Sequence, residues 1–306
     1  MAPSEIKITV PASSANLGPG FDALGLALGR YDELEAAVAA DGLVIEIEGE
    51  GAAEVPRDER HLVVRAMRAM FEVLGEQPAG LRLRCLNRVP HSRGLGSSAA
   101  AAVAGAVAAS ALAGRELAEI SDTILQVAAG LEGHADNAAA SLYGGFVVAW
   151  KVDGQNSESS GNNRPSYGAV RLEPHAQLRP IAFIPATESS TATTRGLLPE
   201  QIPLADAAFT ASRSSLSVCA FTQRPELLFA ATEDRLHQPY RRPAYPESSD
   251  LVDALRSRGV PAVISGAGPT VLALPVGGEL PADLVCPGFT VTPIDVDRHG
   301  VVLEKG

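Results

Sequence analysis

Residues 90–100 read Pro90-His91-Ser92-Arg93-Gly94-Leu95-Gly96-Ser97-Ser98-Ala99-Ala100 and offer the plainest chemistry in the chain. They follow a strand-like stretch and open a long Ala-rich helical one. Gly94 and Gly96 have no side chain, so the backbone there can wrap closely around an anion. Ser97 is a favourable N-cap, and the first amides of the helix behind it have no internal partners. Free amides and the helix dipole together bind phosphate without a positive side chain. Taken alone, a GxGSS segment serves equally well as a plain helix-capping turn. No GxxxxGK[ST] occurs, so this is not a Walker-type loop, and Gly-Leu-Gly-Ser-Ser-Ala at 94–99 fits a dinucleotide fingerprint poorly.

Two further clusters have matching chemistry. Residues 11–22, PASSANLGPGFD, place small polar residues and glycines ahead of Phe21. Asn16 and Asp22 could hydrogen-bond an amine or a hydroxyl, or could stabilise a rigid turn. Near the other end, Ser265-Gly266-Ala267-Gly268-Pro269-Thr270 sits between two strand-like runs. Glycine there marks close approach of the backbone to a ligand or to a neighbouring loop.

The elements that must position these loops show in the hydrophobic pattern. Period-two alternation predicts strands over 6–10, 43–48 and 80–88, and further strands over 146–150, 179–184, 260–265, 270–274 and 289–296. Helical spacing predicts helices over 61–74, 97–113, 117–131 and 204–221. Residues 153–168, DGQNSESSGNNRPSYG, are too polar to form a core and read as a flexible loop or linker. Strands mixed with helices on both sides of it indicate an α+β protein of two domains, 1–168 and 169–306.

Composition narrows the partners. The 306 residues hold 25 basic and 36 acidic side chains, a net charge of −11. Only Lys7, Lys151 and Lys305 are lysines. Such a chain lacks the electrostatic footprint of a nucleic-acid binder and the polybasic segment of a membrane-surface protein. Cys85, Cys219 and Cys286 are scattered, which argues against a disulfide scaffold or a structural zinc site. No signal peptide or membrane span is read, so a cytoplasmic protein is expected.

Three Gly-rich loops in this order and separation resemble the GHMP kinases, the family of galactose, homoserine, mevalonate and phosphomevalonate phosphotransferases. The resemblance covers nearly the whole chain. It is strongest to the members acting on L-homoserine, through PASSANLGPGFDALGLAL, Glu132-Gly133-His134-Ala135-Asp136-Asn137 with Gly144-Gly145, TATTRGLLP at 191–199 and LHQPYR at 236–241. Two departures from the usual pattern are Ala135, where Pro is common, and Thr210, where many relatives carry Asn.

The resemblance implies an N-terminal domain like the second domain of ribosomal protein S5 and a ferredoxin-like C-terminal domain. It implies transfer of the γ-phosphoryl group of ATP, with Mg²⁺, to the side-chain hydroxyl of L-homoserine, a step in threonine biosynthesis. The nucleotide would lie over Pro90–Ala100. Ser98 and Glu132 would be Mg²⁺ ligands, hard oxygen donors of the kind that ion takes. Asn16, Asp22, His134, Thr191, Arg195, Arg241 and Gly266 would contact the substrate, with Asn137 and Arg195 in catalytic positions. The adjacent Asp136 and Asn137 leave the identity of any base open, as is a base-free reaction in which the γ-phosphate or solvent takes the proton. Another small alcohol (threonine or mevalonate) or a non-catalytic sensor of the same fold are the alternatives, and a homodimer is one option for assembly.

Overall fold

The computed structural model describes residues 5–152, 166–189 and 191–305, with the side chains of Thr191 and Ala192 outside that description. In chain order the first part contains β1 (Glu5–Asn16), β2 (Gly20–Ala39), β3 (Gly42–Gly49), α1 (Leu62–Leu74), β4 (Gly80–Asn87), α2 (Ser97–Leu112), α3 (Leu117–Glu132), α4 (Asp136–Tyr143) and β5 (Phe146–Val152). The second contains β6 (Ser166–Leu172), β7 (Ile181–Pro185), α5 (Thr191–Arg195), α6 (Leu204–Thr222), α7 (Leu228–Ala231), α8 (Gln238–Arg241), α9 (Pro246–Ser257), β8 (Ala262–Ile264), β9 (Val271–Ala273), β10 (Phe289–Pro293) and β11 (Val302–Lys305). Most of the expected loop, residues 153–165, lies outside the described residues.

Two sheets organise these elements. The larger runs β11-β1-β2-β4-β3, with β5 pairing β2 and β6 pairing β5. The smaller runs β10-β7-β9-β8, all antiparallel. Counting its strands in chain order gives 4-1-3-2, the ferredoxin-like order, with the stretch between β9 and β10 forming no helix. The sheet pairing does not follow the expected boundary at 168. β6 spans that point and belongs to the larger sheet, and β11 returns from the far end to pair β1.

Helix α2 is the axis of the first core. It is Ala-rich and buried almost all round, which suits a central helix rather than an amphipathic surface one. At Gly105 an added Cβ would sit 2.4 Å from the Val63 carbonyl oxygen, so only glycine lets α1 pack this closely. α1, α2, α3 and α4 cover one face of the larger sheet, with Ile6, Ile8, Val10, Met67, Met70 and Phe71 in the shared core.

A register shift in the β1–β2 ladder between Pro11 and Ala12 then redirects the strand. Such an irregularity re-aims the side chains beyond it. Up to Val10 the buried side chains of β1 face the helices, whereas Ala12 joins Leu24, Leu26, Leu28, Phe146 and Phe221 beneath the smaller sheet. This second core binds the two sheets together through Ala182, Ile184, Val263 and Leu272. A third packs α9 on the outer face of the smaller sheet through Leu251 and Leu255.

Several elements differ from the sequence reading. β2 runs twenty residues where a loop and no strand were read, because its Leu-, Ala- and Glu-rich composition is not strand-like. α4, β6 and β11 were likewise unread. Gly96, in the left-handed region with φ 69°, takes the N-cap position of α2 where Ser97 was expected, and Ser97 is the first helical residue. Among the described residues, no helix is long and apolar enough to cross a membrane.

Candidate functional site

The three glycine-rich segments meet. Ser13 N–H donates to the Leu95 carbonyl (3.0 Å), Gly266 N–H to the Ala15 carbonyl (3.1 Å), and Thr270 N–H to the Arg93 carbonyl (3.2 Å). The Ser265 hydroxyl lies 2.6 Å from the Gly94 carbonyl and 2.8 Å from Ser14 Oγ. The clasp leaves no room at the loop: a Cβ on Gly94 would meet the Ser265 carbonyl oxygen at 2.3 Å, and one on Gly96 would meet Ser13 Oγ at 2.1 Å. Four non-glycine residues here, Asn16, Leu17, Asp22 and Ser92, hold positive φ, the kind of stored strain that clusters at binding sites.

A cavity of about 410 Å³ opens over this junction. Of the expected loop residues, His91, Ser92, Gly94, Gly96, Ser97 and Ser98 line it. Pro90, Arg93, Leu95, Ala99 and Ala100 do not. Leu95, Ala99 and Ala100 are core residues. Arg93 instead anchors the loop, donating to the carbonyls of His91, Pro185 and Ala186. The amides at the start of α2 remain unpaired, since the first helical bond runs from Ala100 N–H to the Gly96 carbonyl.

Beside the α2 N-terminus, the Ser98 hydroxyl donates to Glu132 Oε2 at 2.8 Å. Glu132 is the last residue of α3, which ends on the left-handed Gly133. Burial pushes its carboxyl up, with the Ser98 hydrogen bond opposing. A half-buried carboxylate and a hydroxyl facing one cavity are a fitting donor pair for Mg²⁺, which takes one or two protein oxygens and fills the rest from phosphates and water. Among the described residues, no group of three or more His, Cys, Asp or Glu forms a self-sufficient metal cluster.

Helix α4 presents the next group. Asp136 is 1% exposed and accepts from the Asn137 backbone N–H (2.8 Å), with His134 Nδ1 2.7 Å away. Burial alone would lower the His134 pKa, but the Asp136 hydrogen bond and charge, with Glu132 behind, outweigh it and raise it. Asn137 Oδ1 accepts from Ser13 Oγ at 3.0 Å, which leaves the amide nitrogen as its free end. All four residues, Glu132, His134, Asp136 and Asn137, line the cavity.

The same cavity wall carries two cationic groups. Arg195, closing the five-residue α5, grips Asp22 with two hydrogen bonds of 2.9 and 2.7 Å, and these hold its guanidinium firmly charged. Arg241 is 2% exposed and has no carboxylate within ion-pairing distance among the described residues. Among the described residues it donates to the Thr194 carbonyl (3.3 Å) and approaches His237 Nδ1 (3.4 Å). His237 Nε2 is 2.7 Å from the Gly18 carbonyl, so Nε2 carries the proton and Nδ1 can accept. Burial, and then the nearby Arg195 charge, lower the Arg241 pKa, so the charge is held uncomfortably. Both guanidinium groups sit about 5 Å from the Phe21 ring centre, at 5.2 and 5.1 Å.

Asn16 and Gly266 line the wall but are braces as well. The Asn16 amide donates to the Gly266 carbonyl (2.8 Å) and accepts from Asp22 N–H (3.0 Å). The Thr191 side chain lies outside the described residues. Thr210 is buried on α6 with its hydroxyl unpartnered and is not part of the cavity wall. Sequence reasoning passed over Ser13, which orients Asn137, and Asp234, which accepts from the backbone N–H of Leu236, His237 and Gln238 and so fixes the start of α8. The DRLH spacing, an Asp two residues before the first amide it caps, was a legible signal for the latter. It also passed over His61, Asp32 and Asn87, which line the cavity too.

Residues 61–145 match the family described as GHMP kinases N terminal domain, and residues 221–279 the one described as GHMP kinases C terminal. The chain is 50% identical over 300 residues to a homoserine kinase of Streptomyces avermitilis, covering 96% of this chain and 94% of that one. It is 53% identical over 270 residues to a homoserine kinase of Streptomyces coelicolor, covering 88% and 84%. The crystal structure of homoserine kinase from Cytophaga hutchinsonii superposes with a TM-score of 0.81 at 27% identity, covering 98% of each chain.

Proposed function

The chain belongs to the GHMP kinases, in their homoserine kinase group, and from that membership we infer that it transfers the γ-phosphoryl group of ATP to the side-chain hydroxyl of L-homoserine. The products are ADP and O-phospho-L-homoserine, as threonine biosynthesis requires. One observation supports the reading: a single cavity is lined by the start of α2, with its free amides, and by a buried guanidinium that has no carboxylate within ion-pairing distance among the described residues.

The residue roles follow from their surroundings. The N–H groups at 97–99 receive the phosphates of the nucleotide, with no lysine needed. Ser98 and Glu132 are the proposed Mg²⁺ ligands, and that ion, when bound, neutralises phosphate charge. Arg241 takes the substrate carboxylate, the anion its buried charge lacks. Asp22 takes the ammonium, exchanging its present partner Arg195, which is then free to contact carboxylate or the transferred phosphoryl group. Thr191 remains a proposed substrate contact.

Asn137 can orient the hydroxyl but cannot accept its proton. Each of the four carboxylates lining the cavity already has a partner: Asp22 has Arg195, Asp32 the amides of Arg88 and Val89, Glu132 Ser98, and Asp136 His134. The hydroxyl proton therefore goes to a γ-phosphate oxygen or to solvent. Catalysis rests on positioning and charge neutralisation, which is the larger part of phosphoryl transfer.

The test is ADP release with L-homoserine, L-threonine and mevalonate in turn. Homoserine should be consumed far faster than the others. Equal or better turnover of a competitor overturns the substrate assignment, and no turnover with any alcohol points to a sensor.

A further inference from the structure

One fully buried side chain that is not part of the cavity wall reaches Arg241. His237 takes the N-cap position of α8, one helical turn before Arg241. Its two nitrogens face different partners. Nε2 donates to the Gly18 carbonyl at 2.7 Å, and Nδ1 lies 3.4 Å from Arg241 Nη1. The first contact depends on a glycine: Gly18 has φ 87°, and a Cβ there would meet the Thr232 carbonyl oxygen at 2.6 Å. The imidazole also lies against the Phe21 ring, 5.2 Å between centres, the same ring that sits 5.1 Å from the Arg241 guanidinium. Burial holds His237 below its ordinary pKa, with the Asp234 charge opposing, so the ring is neutral. With the proton on Nε2, a neutral imidazole presents a bare lone pair at Nδ1.

The backbone that carries both residues is equally constrained. Asp234 accepts from the N–H groups of Leu236, His237 and Gln238, and Gln238 Oε1 accepts from the Ile264 N–H at 2.6 Å. Helix α8 is thus tied both to β8 and to the turn between β1 and β2. An Arg side chain has several rotatable bonds, and a ligand that must order it loses affinity in doing so. Here the Thr194 carbonyl holds Nε and His237 faces Nη1, which leaves Nη2 as the end for a ligand. A carboxylate in place of the imidazole would also aim the group, but through an ion pair that an incoming carboxylate must break. A neutral acceptor orders the guanidinium and keeps its charge for the ligand.

We propose that His237 is the positioning residue of Arg241: its Nδ1 lone pair, directed by the bond from Nε2 to the Gly18 carbonyl, aims the guanidinium at the substrate carboxylate without neutralising it. The inference deepens the carboxylate role proposed for Arg241 and rests on it.

The experiment exploits the two nitrogens separately. A Gln amide reaches the place of Nε2 and keeps the Gly18 contact, whereas an Asn amide reaches the place of Nδ1 and keeps the one to Arg241. His237→Gln should raise KM for L-homoserine roughly 5- to 20-fold, the loss expected for a long hydrogen bond to a charged group, with kcat and KM for ATP within about twofold of wild type. His237→Asn should bring KM for homoserine back to within about threefold of wild type. In an Arg241→Met background, His237→Gln should add less than about a twofold change, because the residue it acts through is gone.

A merely structural histidine predicts the reverse order, with Gln the milder change, and an effect on both substrates whether or not Arg241 is present. Either result overturns the inference, as does an unchanged KM for homoserine in His237→Gln. Thermal melts establish that each variant is folded, and if His237→Gln is not, His237→Phe, which keeps the ring against Phe21 and removes both nitrogens, serves in its place. Arg241→Met with wild-type homoserine kinetics would remove the carboxylate role of Arg241 and this inference with it. A wild type that phosphorylates no homoserine would instead remove the kinase reading itself.

Discussion

Arg241 shows how a residue proposed to bind substrate can be a burden to the fold that carries it. Its guanidinium is enclosed, feels the like charge of Arg195 and, among the described residues, finds a carbonyl and a histidine nitrogen at long range. Removing a buried charge that lacks a counter-ion relieves desolvation, whereas removing one member of a real pair would cost stability. Arg241→Met should therefore leave the melting temperature unchanged or raised while kcat/KM for homoserine falls at least about 100-fold, the loss expected for a charged contact. Nucleotide affinity should be nearly unchanged. A large drop in melting temperature would show that the charge is compensated in the folded protein after all.

At the scale of elements, the decisive piece is the turn from β4 into α2. Gly96 combines a left-handed backbone with a neighbour, Ser13 Oγ, that a Cβ would meet at 2.1 Å. Gly96→Ala must therefore displace Ser13, and with it the bond that orients Asn137. The conformational strain alone is worth about 1 kcal/mol or more. The expected outcome is a lower melting temperature together with loss of nucleotide binding in a direct titration. A variant that binds nucleotide normally would mean that the loop can rearrange without cost.

The same turn shows what could be read beforehand. The glycines and the helix behind them were legible, because glycine placement and helical period are local signals, whereas Ser98 and Glu132 were named as candidate ligands through the family resemblance. That Gly96, not Ser97, occupies the cap position was not legible, since capping depends on where the strand delivers the chain. Nor was β2: its residues favour helix in isolation, and only pairing with β1, β4 and β5 makes it a strand. His61 was invisible for a similar reason. A histidine opening a helix is unremarkable until its two nitrogens are seen buried without partners among the described residues.

For the molecule as a whole, sheet pairing argues that the two halves depend on each other. The larger sheet takes β6 and β11 from beyond residue 165, and the core between the sheets draws on Leu24, Phe146, Phe221 and Leu272 alike. We therefore expect one cooperative thermal transition by calorimetry for the full chain. A fragment of residues 1–168 would lose β11, most of β6 and half of that core, and should show no sharp transition. If the fragment melts cooperatively, residues 1–168 form an autonomous unit and the dependence is one-sided.

The scarcity of lysine has a consequence for chemical modification. Lys7 pairs with Glu33 and Lys305 with Glu116, and none of the three lysines lines the cavity. The groups proposed to face phosphate are backbone amides, hydroxyls and guanidinium groups, none of which carries a primary amine. Acetyl donors and other amine acylating agents therefore find nothing to neutralise there. Regulation by lysine acylation, open to kinases with a P-loop lysine, has no direct purchase on the proposed phosphate site.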